Sequence, residues 1–325
     1  LAVRGVRGKR WYTHLFAPLW TTAALLQALF VILRTRPAAV LGMGGFVAGP
    51  GGLAAWLLHR PLLLHEQNAV PGLTNRWLAR FAGWVMEGFP GAFDGHVRAT
   101  FTGNPVRPAI ASLASPEARL SDRLSGREGP LRVLVLGGSQ GAQVLNEVVP
   151  EALAQLKPEE RPQVWHQTGT QQIARTRQRY RQLGVEVREA RLAPFIKEMD
   201  EAYGWADLVV CRAGALTVAE LAAAGIGSVL VPYPYAVDDH QTRNALYLVE
   251  GGAAVLLPQS QLTASRMGAL LRDFNEHRGR LLEMAHNARL LAQSQAAARV
   301  ADIVVAAASA EAVAQKPIKG SSNHA

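Results

Sequence analysis

The chain has a single cysteine, Cys211, which excludes an internal disulfide and any cysteine-cluster metal site. That residue falls in an apolar run, so thiol chemistry is not expected and a reducing compartment is the natural setting. There is no Asp-x-Asp pair. Asp238 and Asp239 are adjacent, their side chains diverge, and loop solvation is the simpler reading, so no metal site is expected. Acidic residues are missing before Glu66, whereas Arg4, Arg7, Lys9, Arg10, Arg34, Arg36 and Arg60 all precede it. With a net charge of +9 over 325 residues, the chain suits a partner of opposite sign: nucleic acid, anionic lipid or a phosphorylated substrate. The basic residues form no nucleic-acid motif, so nucleic acid is the least favoured of the three.

Long apolar runs are also lacking. The uncharged stretch from Trp11 to Leu33 is interrupted by His14, Pro18, Thr21, Thr22 and Gln27, while a membrane span needs about 20 predominantly apolar residues. A crossover helix from Pro18 to Leu33 covering a sheet is expected instead, with proline in its first turn. No small-residue cleavage site follows, so a cleavable signal peptide is not expected. Trp11, Tyr12, Leu15, Phe16, Leu19 and Trp20 crowd beside Arg7, Lys9 and Arg10. Such a cluster suits the headgroup region of an anionic bilayer, and it equally suits packing on the sheet.

What the chain does have is α/β punctuation. Hydrophobic residues make up 49% and charged residues 18%, enough to build cores for two domains. Between Asp207 and Asn244 a short apolar strand (Leu208 to Cys211) runs into Ala213-Gly214-Ala215. An Ala/Leu-rich helix from Leu216 to Ala224 follows and stops at Gly225. A second strand (Ser228 to Val231) leads to a polar loop and a helix starting near Asp239. This is half of a doubly wound domain, whose ligands bind beyond the carboxyl ends of the strands. The small-residue turn offers backbone N–H groups at a helix N-terminus, suited to a diphosphate. Glu220 can grip a sugar diol, and Gln241 and Asn244 can hydrogen-bond a sugar ring.

The same reading extends upstream. A strand from Ala38 to Leu41 enters the glycine-rich loop Gly42 to Gly52, with a helix from Leu53. The strand Leu62 to Leu64 ends on His65-Glu66-Gln67-Asn68. Phe89-Pro90-Gly91 and Gly103-Asn104-Pro105-Val106-Arg107 close the first domain. Arg107 can pair with a phosphate oxygen. Residues 112–130 turn to Ser, Pro, Gly and charge and read as an interdomain linker. Leu131 to Leu136 then opens a second domain with the turn Gly137 to Ala142, GGSQGA, which is not the dinucleotide pattern G-x-G-x-x-G. Val164 to Gln167 reads as a strand, and Gln171 to Leu183 as a basic, solvated helix. The segments 262–274 and 281–307 read as helices.

Together HEQNAVPGLTNRWLARFA (residues 65–82), GGSQGA and the Asp207–Asn244 stretch resemble the MurG family of peptidoglycan glycosyltransferases. The likeness runs from the first residues to about Ala307. It implies an α/β fold of two Rossmann-like domains facing a cleft (the GT-B type), with the first domain incomplete. The expected domains are an acceptor and membrane-facing domain at 1–111, the linker at 112–130 and a UDP-sugar domain at 131–292. A helix at 293–308 would return to the first domain, ahead of a disordered tail at 309–325.

The implied reaction is transfer of N-acetylglucosamine from UDP-N-acetylglucosamine to the 4-hydroxyl of the muramyl sugar of lipid I. It proceeds with inversion, without a cofactor, at the cytoplasmic face of the bacterial inner membrane. By resemblance the substrate-binding residues are Asn68, Arg107, Ser139, Ile196, Ala215, Leu216, Thr217, Val218, Ala219, Glu220, His240, Gln241 and Asn244, with the donor on the second domain. Ser139 is expected beside the diphosphate and Ile196 against the uracil. Gly44, Gly45, Gly51 and Gly52 would form the acceptor loop, and Trp11, Leu15, Phe16, Leu19 and Trp20 the membrane face.

The family opens with a GGTGGH loop that is not found here, and its histidine is the leading candidate for the base. The chain is therefore expected to be a truncated enzyme that binds donor but turns over poorly or not at all, with His65 or Glu66 as substitute bases. Competing expectations are another UDP-sugar transferase or epimerase of the same fold, an inactive membrane-surface protein that keeps the nucleotide site, and, more distantly, a nicotinamide dehydrogenase.

Overall fold

The computed structural model describes residues 17–314, apart from 94, 96, 126–128, 139–140 and 186–189. It divides into two compact units, one of residues 1–103 with 295–325 and the other of 104–294.

The first unit starts with α1 (Ala17–Thr35), β1 (Val40–Gly42), α2 (Gly45–Leu57) and β2 (Leu62–Glu66). It continues with α3 (Leu73–Leu78), β3 (Trp84–Glu87) and β4 (Ala99–Phe101). The four strands form a parallel sheet in chain order. Every residue of β2 is buried, as a strand covered on both faces must be. Helix α1 buries Ala24, Ala28 and Ile32, one residue per turn, which is the spacing of a single helical face, and the last two join a core that includes Ala54 and Ala55 of α2. No helix among the described residues is long and apolar enough to cross a membrane.

Two expectations change here. The glycine-rich segment is not an extended loop to Leu53, because α2 begins at Gly45 and contains Pro50, Gly51 and Gly52. The cause is tertiary: a Cβ at Gly52 would lie 2.8 Å from a methyl of Leu78 in α3, so the small residues serve close helix packing. Strand β2 also runs on to Glu66, pairing His65 with Met86 and Glu66 with Glu87. These residues are thus the last rungs of the sheet rather than the start of a loop.

The second unit opens with α4 (Pro108–Ala111), α5 (Pro116–Ser125), β5 (Arg132–Leu136) and α6 (Gln143–Ala154). Next come β6 (Gln163–Gln167), α7 (Ile173–Gln182), β7 (Ala190–Ala193) and α8 (Met199–Trp205). The remainder is β8 (Leu208–Cys211), α9 (Ala215–Ala224), β9 (Gly227–Leu230), α10 (His240–Glu250), β10 (Ala254–Leu256), α11 (Ala264–Glu276) and α12 (Arg278–Leu290). Its six parallel strands run β10-β9-β8-β5-β6-β7. The chain winds outward from β5 in one direction and returns beside it at β8, so the topological switch lies between β5 and β8, where such sheets bind ligands.

Residues 112–130 are not a linker. They contain α5, whose Leu120 and Leu124 are buried in the core of the second unit. Arg123 in the same helix pairs with the buried Asp207 at 2.7 Å, and the Asp207 carboxylate also accepts the Arg132 N–H. Ten residues with only two leucines gave too weak a periodic signal to mark this helix.

The segment 281–307 is likewise not one helix. It breaks after Leu290 and resumes as α13 (Ala296–Ala314), whose Val300 and Ala307 pack with Leu63 and Met86 in the first unit. The chain therefore crosses between units at 103–104 and again at 294–295.

Candidate functional site

At the switch point of the second unit lies a cavity of about 460 Å³. Its walls come from the turn after β5 (Gly137, Gly138), from Gln167, from Phe195 and Ile196, and from α9 with its preceding turn. Helix α9 enters through Gly214, and no side chain caps it. Its first-turn N–H groups are therefore left for solvent or an anion, at the positive end of the helix dipole. Gly214 and Thr217 both line the cavity.

The far end of the same helix is well covered. Gly225 takes the left-handed conformation (φ 61°) that glycine accepts without strain. Arg119 and Arg289 both donate to the carbonyl of Ala224. Burial, with Arg289 nearby, lowers the Arg119 guanidinium to about 10, which still leaves it charged at neutral pH. Positive charge at this end complements the dipole.

Glu220 faces the cavity. Its Oε1 accepts from Arg107 Nη2 at 2.9 Å and Nε at 3.3 Å, and its Oε2 accepts from the Tyr203 hydroxyl at 3.1 Å. Gln167 braces another wall, accepting the Ile196 N–H at 3.0 Å and donating to the Gly138 carbonyl at 3.0 Å. Arg212 reaches the carbonyls of Val231 and Pro232 and the Gln259 side chain, with its guanidinium 5.4 Å from the Tyr233 ring. Gln241 accepts the Tyr233 N–H through Oε1, which keeps its amide NH₂ as a donor.

Of the residues expected to hold a donor, Arg107, Ile196, Thr217, Glu220 and Gln241 line this cavity. Several others do not have the expected placement. Asn244 is fully buried and donates to the Ala213 carbonyl, so it fastens α10 to the turn before α9 and is withdrawn from a sugar. Val218 points into the core, and Leu216 is 52% exposed; as side chains on a helix whose backbone offers the N–H groups, neither needs to face the cavity. Ala215 is buried and Ala219 half-buried.

The Ile196 N–H is already satisfied by Gln167, and Arg107 is engaged with a carboxylate instead of standing open for a phosphate. His240 turns Nδ1 to the Val237 carbonyl at 2.7 Å, so that nitrogen carries a proton. Ser139 lies outside the described residues. Tyr203, Gln167 and Arg212 escaped the sequence reading because their roles depend on contacts between distant segments.

In the first unit, the expected bases His65 and Glu66 are built into the structure. His65 is fully buried, with Nε2 donating to the Gly103 carbonyl at 3.0 Å and Nδ1 3.4 Å from the Gln67 amide. Burial lowers its pKa, outweighing the Gly103 contact and the Glu66 charge. Glu66 accepts the N–H groups of Asn68 and Gly72 and the side-chain amides of Asn68 and Asn75. Both are committed to holding the turn after β2, so neither is placed to take a proton from a substrate. Asn68 belongs to the same turn.

Gly44 and Gly45 take positive φ (79° and 74°) at the entrance to α2, but Gly51 and Gly52 lie within that helix and leave the acceptor loop. Trp11, Leu15 and Phe16 lie outside the described residues, Leu19 is exposed and Trp20 half-buried. No cluster of three or more His, Cys, Asp or Glu side chains suited to a metal occurs among the described residues.

Residues 1–86 match the glycosyltransferase family 28 N-terminal domain and residues 132–304 its C-terminal domain. The chain is 54% identical to the UDP-N-acetylglucosamine–N-acetylmuramyl-(pentapeptide) pyrophosphoryl-undecaprenol N-acetylglucosamine transferase of Nitrosococcus oceani, over 93% of this chain and 82% of the relative. Identity to the enzyme of the same name from Marinobacter nauticus is 51%, over 94% and 82%. Among solved structures, the crystal structure of Acinetobacter baumannii MurG superposes with a TM-score of 0.75 at 41% identity, covering 89% of this chain and 79% of that one.

Proposed function

The chain belongs to glycosyltransferase family 28, in its MurG group, and on that premise we infer that it transfers N-acetylglucosamine from UDP-N-acetylglucosamine to lipid I, giving lipid II. The observation in this chain that supports the reading most directly is the cavity of the second unit, where an uncapped helix entrance and the Glu220 carboxylate lie side by side. A nucleoside diphosphate sugar needs both: dipoles for its phosphates and an acceptor for its ribose.

The reaction breaks the bond between the anomeric carbon and the β-phosphate oxygen. The muramyl 4-hydroxyl forms the new bond from the opposite face and its proton passes to water, so configuration inverts and UDP leaves. Charge accumulates on the departing diphosphate, and N–H groups fixed before the reaction stabilise it without reorganisation. We assign this task to the entrance of α9, with Thr217 beside it, and to the turn following β5. Glu220 takes the ribose hydroxyls, Ile196 lies against the base, and Gln241 with His240 is assigned to the acetamido sugar.

We further assign the first unit to an anionic membrane surface, at the cytoplasmic face of the bacterial inner membrane. Its skin is unusually apolar: Leu26, Phe30 and Leu33 of α1 and Phe46, Val47 and Trp56 of α2 are exposed. Arg34, Arg36 and Arg60 lie nearby in sequence. Exposed apolar surface of this kind marks a contact site, and basic residues add attraction to anionic lipid.

One experiment tests both assignments. The chain is mixed with phosphatidylglycerol vesicles carrying lipid I and with UDP-N-acetylglucosamine labelled in the sugar, and the vesicles are sedimented. Label in the lipid fraction, with the protein in the pellet, is expected. Protein bound without label transfer contradicts the activity, and protein left in the supernatant contradicts the membrane assignment.

A further inference from the structure

Glu220 has three side-chain torsions and sits on a helix surface, so by itself it would present a diol with a moving target. Its two oxygens are instead held from two other elements. Arg107, at the entrance to α4, approaches Oε1, and Tyr203, on α8, approaches Oε2. The two partners differ in burial. The Arg107 side chain is 52% exposed, whereas Tyr203 is fully buried. An exposed ion pair is screened by solvent and fixes an orientation only weakly. The Tyr203 hydroxyl, by contrast, donates to Oε2 at 3.1 Å from a position sheltered from solvent, where a hydrogen bond to a charge is screened less.

Tyr203 is also tied to the same helix by its backbone, since its carbonyl accepts from Arg119, the residue that covers the carboxyl end of α9. The residue is thus held at its backbone by Arg119 and at its hydroxyl by Glu220.

We propose that Tyr203 is the positioning residue for the donor site: its buried hydroxyl sets the Glu220 carboxylate in the orientation that accepts a ribose diol, and so determines discrimination between ribose and deoxyribose nucleotides. The inference rests on the assignment of Glu220 to the ribose. A carboxylate offers about four lone-pair sites. With one on Oε2 occupied by Tyr203, the other is directed toward the cavity, while the exposed Arg107 can yield Oε1 to an incoming hydroxyl. Burial and the adjacent carboxylate raise the Tyr203 pKa well above its usual value, so the hydroxyl keeps its proton and remains a donor across the working range.

The test is calorimetric titration of the whole chain with UDP and with its 2′,3′-dideoxyribose analogue, comparing wild type with Tyr203→Phe. A hydrogen bond to a charged group is worth about 1.5–3 kcal/mol, so Tyr203→Phe is expected to weaken UDP roughly ten- to a hundredfold and to leave the dideoxy analogue unchanged. A general packing defect would weaken both ligands alike, and that result overturns the proposal. So does a Phe variant that keeps the wild-type preference for ribose. In a Glu220→Gln background Tyr203→Phe should lose its effect on ribose preference, a cycle that stays informative if the single variant is less stable. If wild type fails to distinguish UDP from the dideoxy analogue, the ribose assignment of Glu220 fails, and the proposal with it.

Discussion

His166 lies in β6 with no exposed surface, and its Nδ1 is 3.0 Å from the Tyr180 hydroxyl. Burial lowers its pKa from 6.5 to about 3, so it stays neutral in the folded chain while the unfolded chain protonates it. The stability this confers is complete above about pH 6.5 and is lost progressively as the pH falls from there toward 3. His65 is lowered by burial in the same direction and adds to the effect. Each such group contributes about 1.4 kcal/mol per pH unit within its window. In urea unfolding followed between pH 6.5 and 4, His166→Gln should flatten the pH dependence of the midpoint relative to wild type. Equal slopes would mean that the buried imidazole is not the acid-sensitive group. At this scale Glu220 and Gln241, singled out by residue type, do line the cavity of the second unit. The sequence was misleading where polarity was taken for availability. His65, Glu66 and Asn244 are polar because a buried turn needs partners for its backbone groups, and no local pattern separates that use from substrate binding.

Helix α9 was legible almost to the residue, since Gly214 and Gly225 bracket an unbroken run of helix formers and each end has a backbone reason to stop. Helix α2 was not. Four glycines and a proline read as a loop, but Gly52 against Leu78 shows the small residues serving close approach of α3. Helix α5 was hidden for the opposite reason: it is mostly polar, and its helical state is decided by what lies across from it. Leu120 and Leu124 enter the core of the second unit, and Arg123 neutralises a fully buried Asp207. Leu120→Ala should therefore lower the unfolding free energy by about 2–5 kcal/mol. Removing Arg123 as Arg123→Ala should cost a comparable amount, roughly 3–5 kcal/mol, because the Asp207 charge stays buried. A true linker would tolerate either change within about 0.5 kcal/mol. Chemical denaturation of the variants separates the two cases.

Across the whole molecule, two parallel α/β units were expected from the alternation of strands and glycine-punctuated helices, and two are present. The return to the first unit after Ser294 lies close to the expected 293, whereas the first crossing, expected at 111, comes after Gly103. Both crossings depend on long-range packing, the second on Val300 and Ala307 meeting Leu63 and Met86. Among the described residues, those lining the cavity assigned to the donor all belong to the second unit, so donor binding can be measured apart from turnover. This cavity is assigned to a UDP-sugar held through Glu220. The most direct test is calorimetric titration of the chain with UDP-N-acetylglucosamine, beside UDP-glucose and NADH, repeated with Glu220→Ala. Saturable binding of the N-acetylglucosamine donor is expected, with weaker binding of UDP-glucose and none of NADH. Glu220→Ala should reduce affinity for the donor by roughly tenfold or more. A folded sample that ignores all three, or binds the donor equally well without Glu220, would contradict the assignment.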